Sequence, residues 1–183
     1  MQKFCLIFAC LLAYGNAETP GTTTNKPNEE PAINGTNCQN NEILDLTTLA
    51  NGKKYVFVSW GKVNWESAKA LCEKSNLTLA LPKTQEDLTL LHQMAKEKIP
   101  YPSSGWWVFA SDVGQKAGDF RWGDGQALPR DSALWDKEYD QPDMFGRGEA
   151  ACVYFYTRVS ARLKDNLCSI ALHFVCEPRP GCH

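Results

Sequence analysis

The spacing of apolar and polar residues predicts a strand followed by a helix in the first part of the folded region. Residues 54–59 are mostly β-branched or aromatic, which is typical of a strand. The side chain of Asn64 can cap the first turn of a following helix. The predicted buried face of that helix carries Trp65, Ala68, Leu71 and Cys72.

A second helix is predicted from Thr84 onward. Thr84 and Asp87 resemble a capping box, with an aspartate where glutamate or glutamine is usual. The apolar stripe of this helix consists of Leu88, Leu91, Met94 and Ala95. His92 is expected on its polar side. Pro100 and Pro102 end the helix, because proline cannot continue it.

Short strands and one long loop are predicted beyond Trp106. The strands are expected at residues 106–110, 120–122, 152–156, 161–163 and 172–176. Residues 123–148 contain six acidic residues, four glycines and two prolines, with few periodic apolar positions. A loop of this length inside a compact domain is usually functional, so it is the first place to look for a binding site.

The N-terminal segment predicts secretion. A basic residue, Lys3, precedes an apolar run over residues 4–13, and Gly15 and Ala17 supply small residues near a cleavage position. Residues 1–17 are therefore expected to be a signal peptide. The run is far shorter than the about 20 residues that span a bilayer. No membrane span is predicted. Residues 18–41, rich in Thr, Pro and Asn, are expected to be a disordered leader.

Composition and cysteine content narrow the class of protein. The 183 residues are 43% hydrophobic and 22% charged, which is enough to bury the core of one domain. The formal net charge of −2 gives no reason to expect a nucleic-acid partner. Cleavage of the signal peptide leaves six cysteines, an even number that indicates disulfides in a secreted protein. They are Cys38, Cys72, Cys152, Cys168, Cys176 and Cys182. Asn34 and Asn76 begin N-glycosylation sequons.

Several motifs now point to one family. Two predicted helices, the first with a cysteine, precede the tryptophan-rich strand at residues 106–112. The long loop contains Gln141-Pro142-Asp143, and residues 172–177 close the domain with Leu-His-Phe-Val-Cys-Glu. With the cysteine spacing, this arrangement resembles the C-type lectin domain family over about residues 42–178, most of all its secreted single-domain insect members. Residues 179–183 would be a C-terminal tail that carries Cys182.

The resemblance implies a fold and a disulfide pattern. The fold would be α+β, with two helices, short antiparallel sheets and a long loop region that binds calcium and sugar. The implied disulfides are Cys72–Cys176 and Cys152–Cys168. Cys38 and Cys182 remain, and a bond between them is our first choice. An intermolecular bridge from either residue is the alternative. The protein would accordingly be a monomer or a disulfide-linked dimer.

The resemblance also implies a calcium site with bound sugar. Its ligands would be Gln141, Asp143, Glu149 and Asp165. Calcium prefers six to eight oxygen ligands, and two sugar hydroxyls would complete this set. In the family, Gln-Pro-Asp accompanies galactose and N-acetylgalactosamine. Phe145 falls where galactose-type members place an aromatic ring against the sugar. A second calcium site has little support, since Asp112 matches one position but Ala117 stands where an acid is expected.

The sequence departs from the family pattern at Lys164. The element that usually reads Trp-Asn-Asp is Leu163-Lys164-Asp165, so an ammonium replaces a neutral amide ligand. We expect weaker calcium binding. The alternative is that Lys164 neutralises Asp143 or Glu149 with no metal bound. One extra residue also separates Glu149 from Cys152, compared with the common spacing.

These features favour a binding protein over an enzyme. The chain offers no nucleophile–base pair, phosphate loop or metal-hydrolysis motif. The main hypothesis is a secreted, calcium-dependent lectin for terminal galactose-type glycans on microbial or host surfaces, acting in innate immune recognition or agglutination. The alternative is a calcium-independent immune or salivary module that binds another protein on the same scaffold. Lys164 is the feature that separates the two.

Overall fold

The computed structural model describes residues 45–99 and 104–179. Two helices, Trp65–Lys74 (α1) and Gln85–Lys98 (α2), lie in the first half. The strands are Thr47–Thr48 (β1), Lys54–Val63 (β2), Leu77–Leu79 (β3), Gly105–Ser111 (β4), Arg121–Trp122 (β5), Ala151–Tyr156 (β6), Leu163–Leu167 (β7) and Leu172–Pro178 (β8). The predicted signal peptide and leader, Asn34, Cys38 and Cys182 lie outside the described residues.

Both helices begin where the sequence predicts. The Asn64 side-chain oxygen accepts the N–H of Ser67 at 2.8 Å, and the Thr84 hydroxyl accepts the N–H of Asp87 at 3.1 Å. Each cap satisfies a backbone donor that has no partner within its own helix.

Two side chains of the helices do not lie where they were expected. Leu71 is 39% exposed, because a residue six positions after Trp65 lies about 120° around the helix from it. His92 is only 6% exposed, because four positions after Leu88 places it on the same face. The prediction of a polar position for His92 was therefore wrong.

The strands form a mixed sheet in the order β1-β2-β8-β4-β6-β7, with β3 on β8 and β5 on β4. Most pairs are antiparallel as predicted, but β4 and β8 are parallel. The first long strand pairs with the last, with Val56 opposite Cys176. The α+β class is confirmed, with the sheet mixed rather than wholly antiparallel.

The strand predicted at residues 161–163 is displaced to Leu163–Leu167. Its middle residues, Lys164, Asp165 and Asn166, have little intrinsic preference for a strand. They adopt one because the segment pairs with β6, with Tyr154 opposite Lys164 and Val153 opposite Asp165. Long-range pairing, rather than local preference, therefore sets the position of these polar residues.

A buried tryptophan-rich core and two disulfides support the long loop. Trp106, Trp107 and Trp135 are completely buried. The disulfides are Cys72–Cys176 and Cys152–Cys168, as the resemblance implied. Between β5 and β6 the chain forms one 3-10 turn, Lys137–Tyr139. The candidate site residues lie in this stretch and on β7.

Candidate functional site

The loop turns sharply at Gln141 and Pro142. The peptide bond between them is cis, and Asp140 before it has a positive φ of 52°. The 3-10 turn leads into this point, where the N–H of Gln141 donates to the carbonyl of Asp136 at 3.1 Å. The backbone thus holds Gln141 close to the β7 strand.

The Gln141 side chain joins the loop to β7. Its Oε1 accepts the N–H of Asp165 at 2.9 Å, and its Nε2 donates to Asp143 Oδ1 at 2.6 Å. Gln141 is buried, whereas Asp143 is exposed. The Gln141 amide can make both hydrogen bonds because it carries an acceptor oxygen and an NH2 donor. Three of the four predicted ligand residues are therefore brought together.

The carboxylate of Asp165 is enclosed by the loop backbone. Its Oδ1 accepts the N–H of Asp143 at 2.7 Å, and its Oδ2 accepts those of Met144 at 2.9 Å and Phe145 at 3.1 Å. Burial raises the pKa of this carboxyl, and the hydrogen bonds from Asp143 and Met144 oppose that rise. Asp165 therefore fixes the turn over residues 143–145.

Glu149 lies in a different set of contacts. Its Oε1 accepts the hydroxyl of Ser169 at 2.7 Å and the N–H of the same residue at 3.2 Å. Within the described part of the chain, no hydrogen bond joins it to Gln141, Asp143 or Asp165. Ser169 follows the disulfide-bonded Cys168, so Glu149 ties the end of the loop to that corner.

Lys164 has a partner that the sequence did not predict. Its Nζ lies 2.9 Å from Asp136 Oδ2, and it is 4.0 Å from the centroid of the Tyr139 ring. The alternative drawn from the sequence was a pair of Lys164 with Asp143 or Glu149. Asp136 was missed because it lies 28 positions away and nothing local marks it. The tertiary structure brings the two residues together, because Trp135, next to Asp136, pairs with Leu163, next to Lys164.

The Phe145 ring packs against other side chains and is not fully exposed to solvent. It is half-buried, and its ring meets that of Phe120 edge-on at 6.3 Å between centroids. The guanidinium carbon of Arg130 lies 4.1 Å from the centre of the Phe145 ring. The expected role of Phe145 as a sugar platform would require Arg130 to move aside.

The residues in this arrangement do not fit the calcium site that the resemblance implies. Both Asp165 oxygens accept backbone N–H groups, and Glu149 bonds Ser169. An ammonium replaces one oxygen ligand at Lys164. Within residues 45–99 and 104–179, no three His, Cys, Asp or Glu side chains are grouped so that they could hold a metal ion.

Asp112 repeats the arrangement seen at Asp165. This buried carboxylate, which matches one position of the family's second calcium site, accepts the N–H of Ala151 at 2.7 Å and that of Gly118 at 2.9 Å. It therefore closes the loop over residues 113–118 through backbone donors.

Comparison with known proteins identifies the family. Residues 61–178 match the family described as the Lectin C-type domain. The chain belongs to this family. Its domains are typically non-enzymatic and bind carbohydrate, and they generally bind calcium. No helix within the described residues is long and apolar enough to cross a membrane.

Individual relatives are 24% to 29% identical to this C-type lectin domain over the aligned residues. Mouse (Mus musculus) C-type mannose receptor 2 is 29% identical over 127 residues, which is 69% of this chain but 8% of the receptor. The chain thus spans less than a tenth of that relative. The carbohydrate-recognition domain of the human scavenger receptor C-type lectin is 26% identical, with a TM-score of 0.55, covering 72% of this chain and 94% of that domain. The tunicate (Polyandrocarpa misakiensis) lectin TC14 is 24% identical, with a TM-score of 0.58, covering 68% and 96%, and it supports the fold alone.

Proposed function

We propose that this protein is a secreted lectin that binds galactose-type sugars at the loop surface around Gln141 and Asp143. The observation that carries the proposal is the convergence of Gln141, Asp143 and Asp165: the Gln141 amide donates to the Asp143 carboxylate at 2.6 Å and accepts the backbone N–H of Asp165 at 2.9 Å. Membership of a family of carbohydrate-binding domains supports the same ligand class. The proposal concerns binding, with no chemical step.

The galactose preference rests on the order of the two polar side chains. Gln141 offers an amide and Asp143 a carboxylate, which can only accept hydrogen bonds. Asp143 is the exposed member of the pair, so it can accept a sugar hydroxyl directly. The predicted ligand residues, as they are arranged, do not fit calcium. The proposal therefore does not include the calcium dependence that the resemblance implies. Calcium is only varied in the experiment.

The biological role follows from secretion and sugar binding. The ligands would be terminal galactose-type glycans on microbial or host surfaces, and the role would be innate immune recognition or agglutination. Agglutination needs a lectin with at least two sugar-binding sites, so that one lectin molecule bridges two particles. A disulfide-linked dimer through Cys38 or Cys182 would supply them, whereas a monomer would serve recognition alone.

Retention on immobilised sugars tests the proposal. The mature chain is passed over galactose-agarose and mannose-agarose, each with calcium and with EDTA. We expect retention on galactose that exceeds retention on mannose and that free galactose reverses. Asp143→Ala should lose retention, while Asp131→Ala, an exposed acid in the same loop, should keep it. Absence of retention on galactose in both buffers would rule the proposal out.

A second candidate is favoured by the Lys164–Asp136 ion pair. Lys164 stands at the sequence position of a calcium ligand in the family motif and pairs with Asp136 instead, so the scaffold could serve as a calcium-independent module that binds another protein. The same retention experiments on galactose-agarose and mannose-agarose distinguish the two candidates. A chain that passes through both sugar resins unretained, yet is folded, would favour the protein-binding module.

A further inference from the structure

The ion pair between Lys164 and Asp136 is buried inside the loop region. Their side chains are 10% and 2% exposed, and the Nζ–Oδ2 distance is 2.9 Å. The hydroxyl of Ser160 donates to the same Oδ2 at 3.2 Å, and the ring of Tyr139 lies beside the ammonium. Both charges therefore have polar or aromatic partners, as buried charges require.

The pair joins strand β7 to residues 136–141, which form the first part of the loop that carries the candidate site. The backbone N–H of Asp136 donates to the carbonyl of Leu163 at 2.9 Å, and the carbonyl of Asp136 accepts the N–H groups of Tyr139 and Gln141, each at 3.1 Å. Removing the charge of either side chain would leave the other charge buried without its partner. The ion pair thus anchors the side chain of the residue whose backbone carbonyl holds Gln141.

Asp165 follows Lys164 on β7 and holds the last part of the same loop turn, residues 143–145. Successive side chains of a strand point to opposite sides, so Lys164 reaches the first part and Asp165 the last part. The Asp165 carboxylate already accepts three N–H groups from residues 143–145. One internal cation and one internal anion thus brace both ends of the Gln141–Phe145 turn.

We propose that Lys164 supplies the buried positive charge of this loop region in place of a divalent cation, so that the loop is folded and ready for its ligand without calcium. The ammonium stands at the sequence position of an oxygen ligand in the family motif, and Asp165 is satisfied by backbone donors. The inference deepens the proposed function by specifying the metal requirement of its site. The main test of the inference is a measurement of thermal stability, which needs no sugar.

Thermal unfolding of the metal-free mature chain, with added calcium or with EDTA, tests the inference. We expect the same Tm in both, within about 1 °C. Calcium at about 100 times its Kd would raise the Tm of a domain of this size by about 5 to 10 °C, and such a rise would overturn the inference. Failure of sugar retention with an unchanged Tm would count against the proposed function alone.

Variants of the pair provide the second arm. Lys164→Met should lower the Tm equally in calcium and in EDTA, and should speed tryptic cleavage after Arg147 in the loop. Lys69→Met, which removes a surface ion pair of α1 with Glu66, is the matched control and should change neither. If Lys164→Met does not fold, Asp136→Asn replaces it, since the amide keeps the shape. A Tm equal to that of wild type in either variant would overturn the inference.

Discussion

The Oδ1 atom of Asp165 accepts the backbone N–H of Asp143 at 2.7 Å, across 22 positions of sequence. The same carboxylate also receives the N–H groups of Met144 and Phe145. A strand residue therefore sets the shape of a loop that lies far from it in sequence. The two residues were expected to share a metal, and they meet instead through a direct hydrogen bond.

Asp165→Asn should loosen this turn. Asparagine has one acceptor oxygen where aspartate has two, and its NH2 group would face a backbone N–H. A buried donor left without its partner costs about 1–3 kcal/mol. We expect a loss of this size in the free energy of unfolding, measured by urea denaturation, and faster tryptic cleavage after Arg147.

Asp131→Asn is the control for this change, because Asp131 is an exposed acid of the same loop. Its unfolding free energy should stay within about 0.5 kcal/mol of wild type. An Asp165→Asn variant as stable as this control would mean that the three backbone contacts contribute nothing measurable.

Local signals predicted the helices well, and the site only in part. Asn64 and Thr84 cap their helices as expected, because capping depends on residues within one turn. The β7 strand and the Lys164–Asp136 pair depend on pairing between distant segments, which no local pattern contains. Glu149 has the motif spacing of a ligand, yet it contacts Ser169. Motif spacing predicts the candidate site residues, but the contacts that satisfy each one come from the tertiary structure.

Glu177 makes stability depend on pH. It lines a cavity of about 570 Å³ with Leu81 and Phe109, and its carboxylate accepts the N–H of Leu81 at 3.1 Å. Burial raises the pKa of this carboxyl from 4.5 to about 7. The folded state therefore binds the proton more tightly than the unfolded state does. Its contribution to stability is complete below pH 4.5 and is lost as the pH rises through about 7.

Glu177→Gln should remove this dependence, because the amide oxygen still accepts the bond from Leu81 but carries no charge. At pH 8 the variant should be more stable than wild type by about 3 kcal/mol, and at pH 4.5 the two should be equal. Urea denaturation between these values measures the difference. Glu73→Gln, an exposed residue at the same cavity, should show no such trend. A constant difference across the range would contradict the assigned cause.

The two disulfides should contribute unequally to stability. Cys72–Cys176 joins residues 104 positions apart, and Cys152–Cys168 joins residues 16 apart. In the chain-entropy model these loops correspond to about 4.7 and about 3 kcal/mol. Replacing each pair by alanine and measuring urea denaturation should give losses in that order. The opposite order would show that contacts of the long loop outweigh chain entropy.

Arg130→Ala should expose one face of Phe145 and strengthen binding of galactose-type sugars, if the proposed function holds. The guanidinium now lies 4.1 Å from the ring centre, at a place where a sugar could stack. Its removal costs about 0.5–1 kcal/mol of cation–π interaction, so the Tm should fall by less than about 4 °C. Retention on galactose-agarose should increase by about 2- to 10-fold, the range expected of one aromatic contact. Arg147→Ala, another exposed arginine of the loop, serves as control and should leave retention unchanged. A fall in retention with Arg130→Ala would instead assign the sugar contact to Arg130 itself.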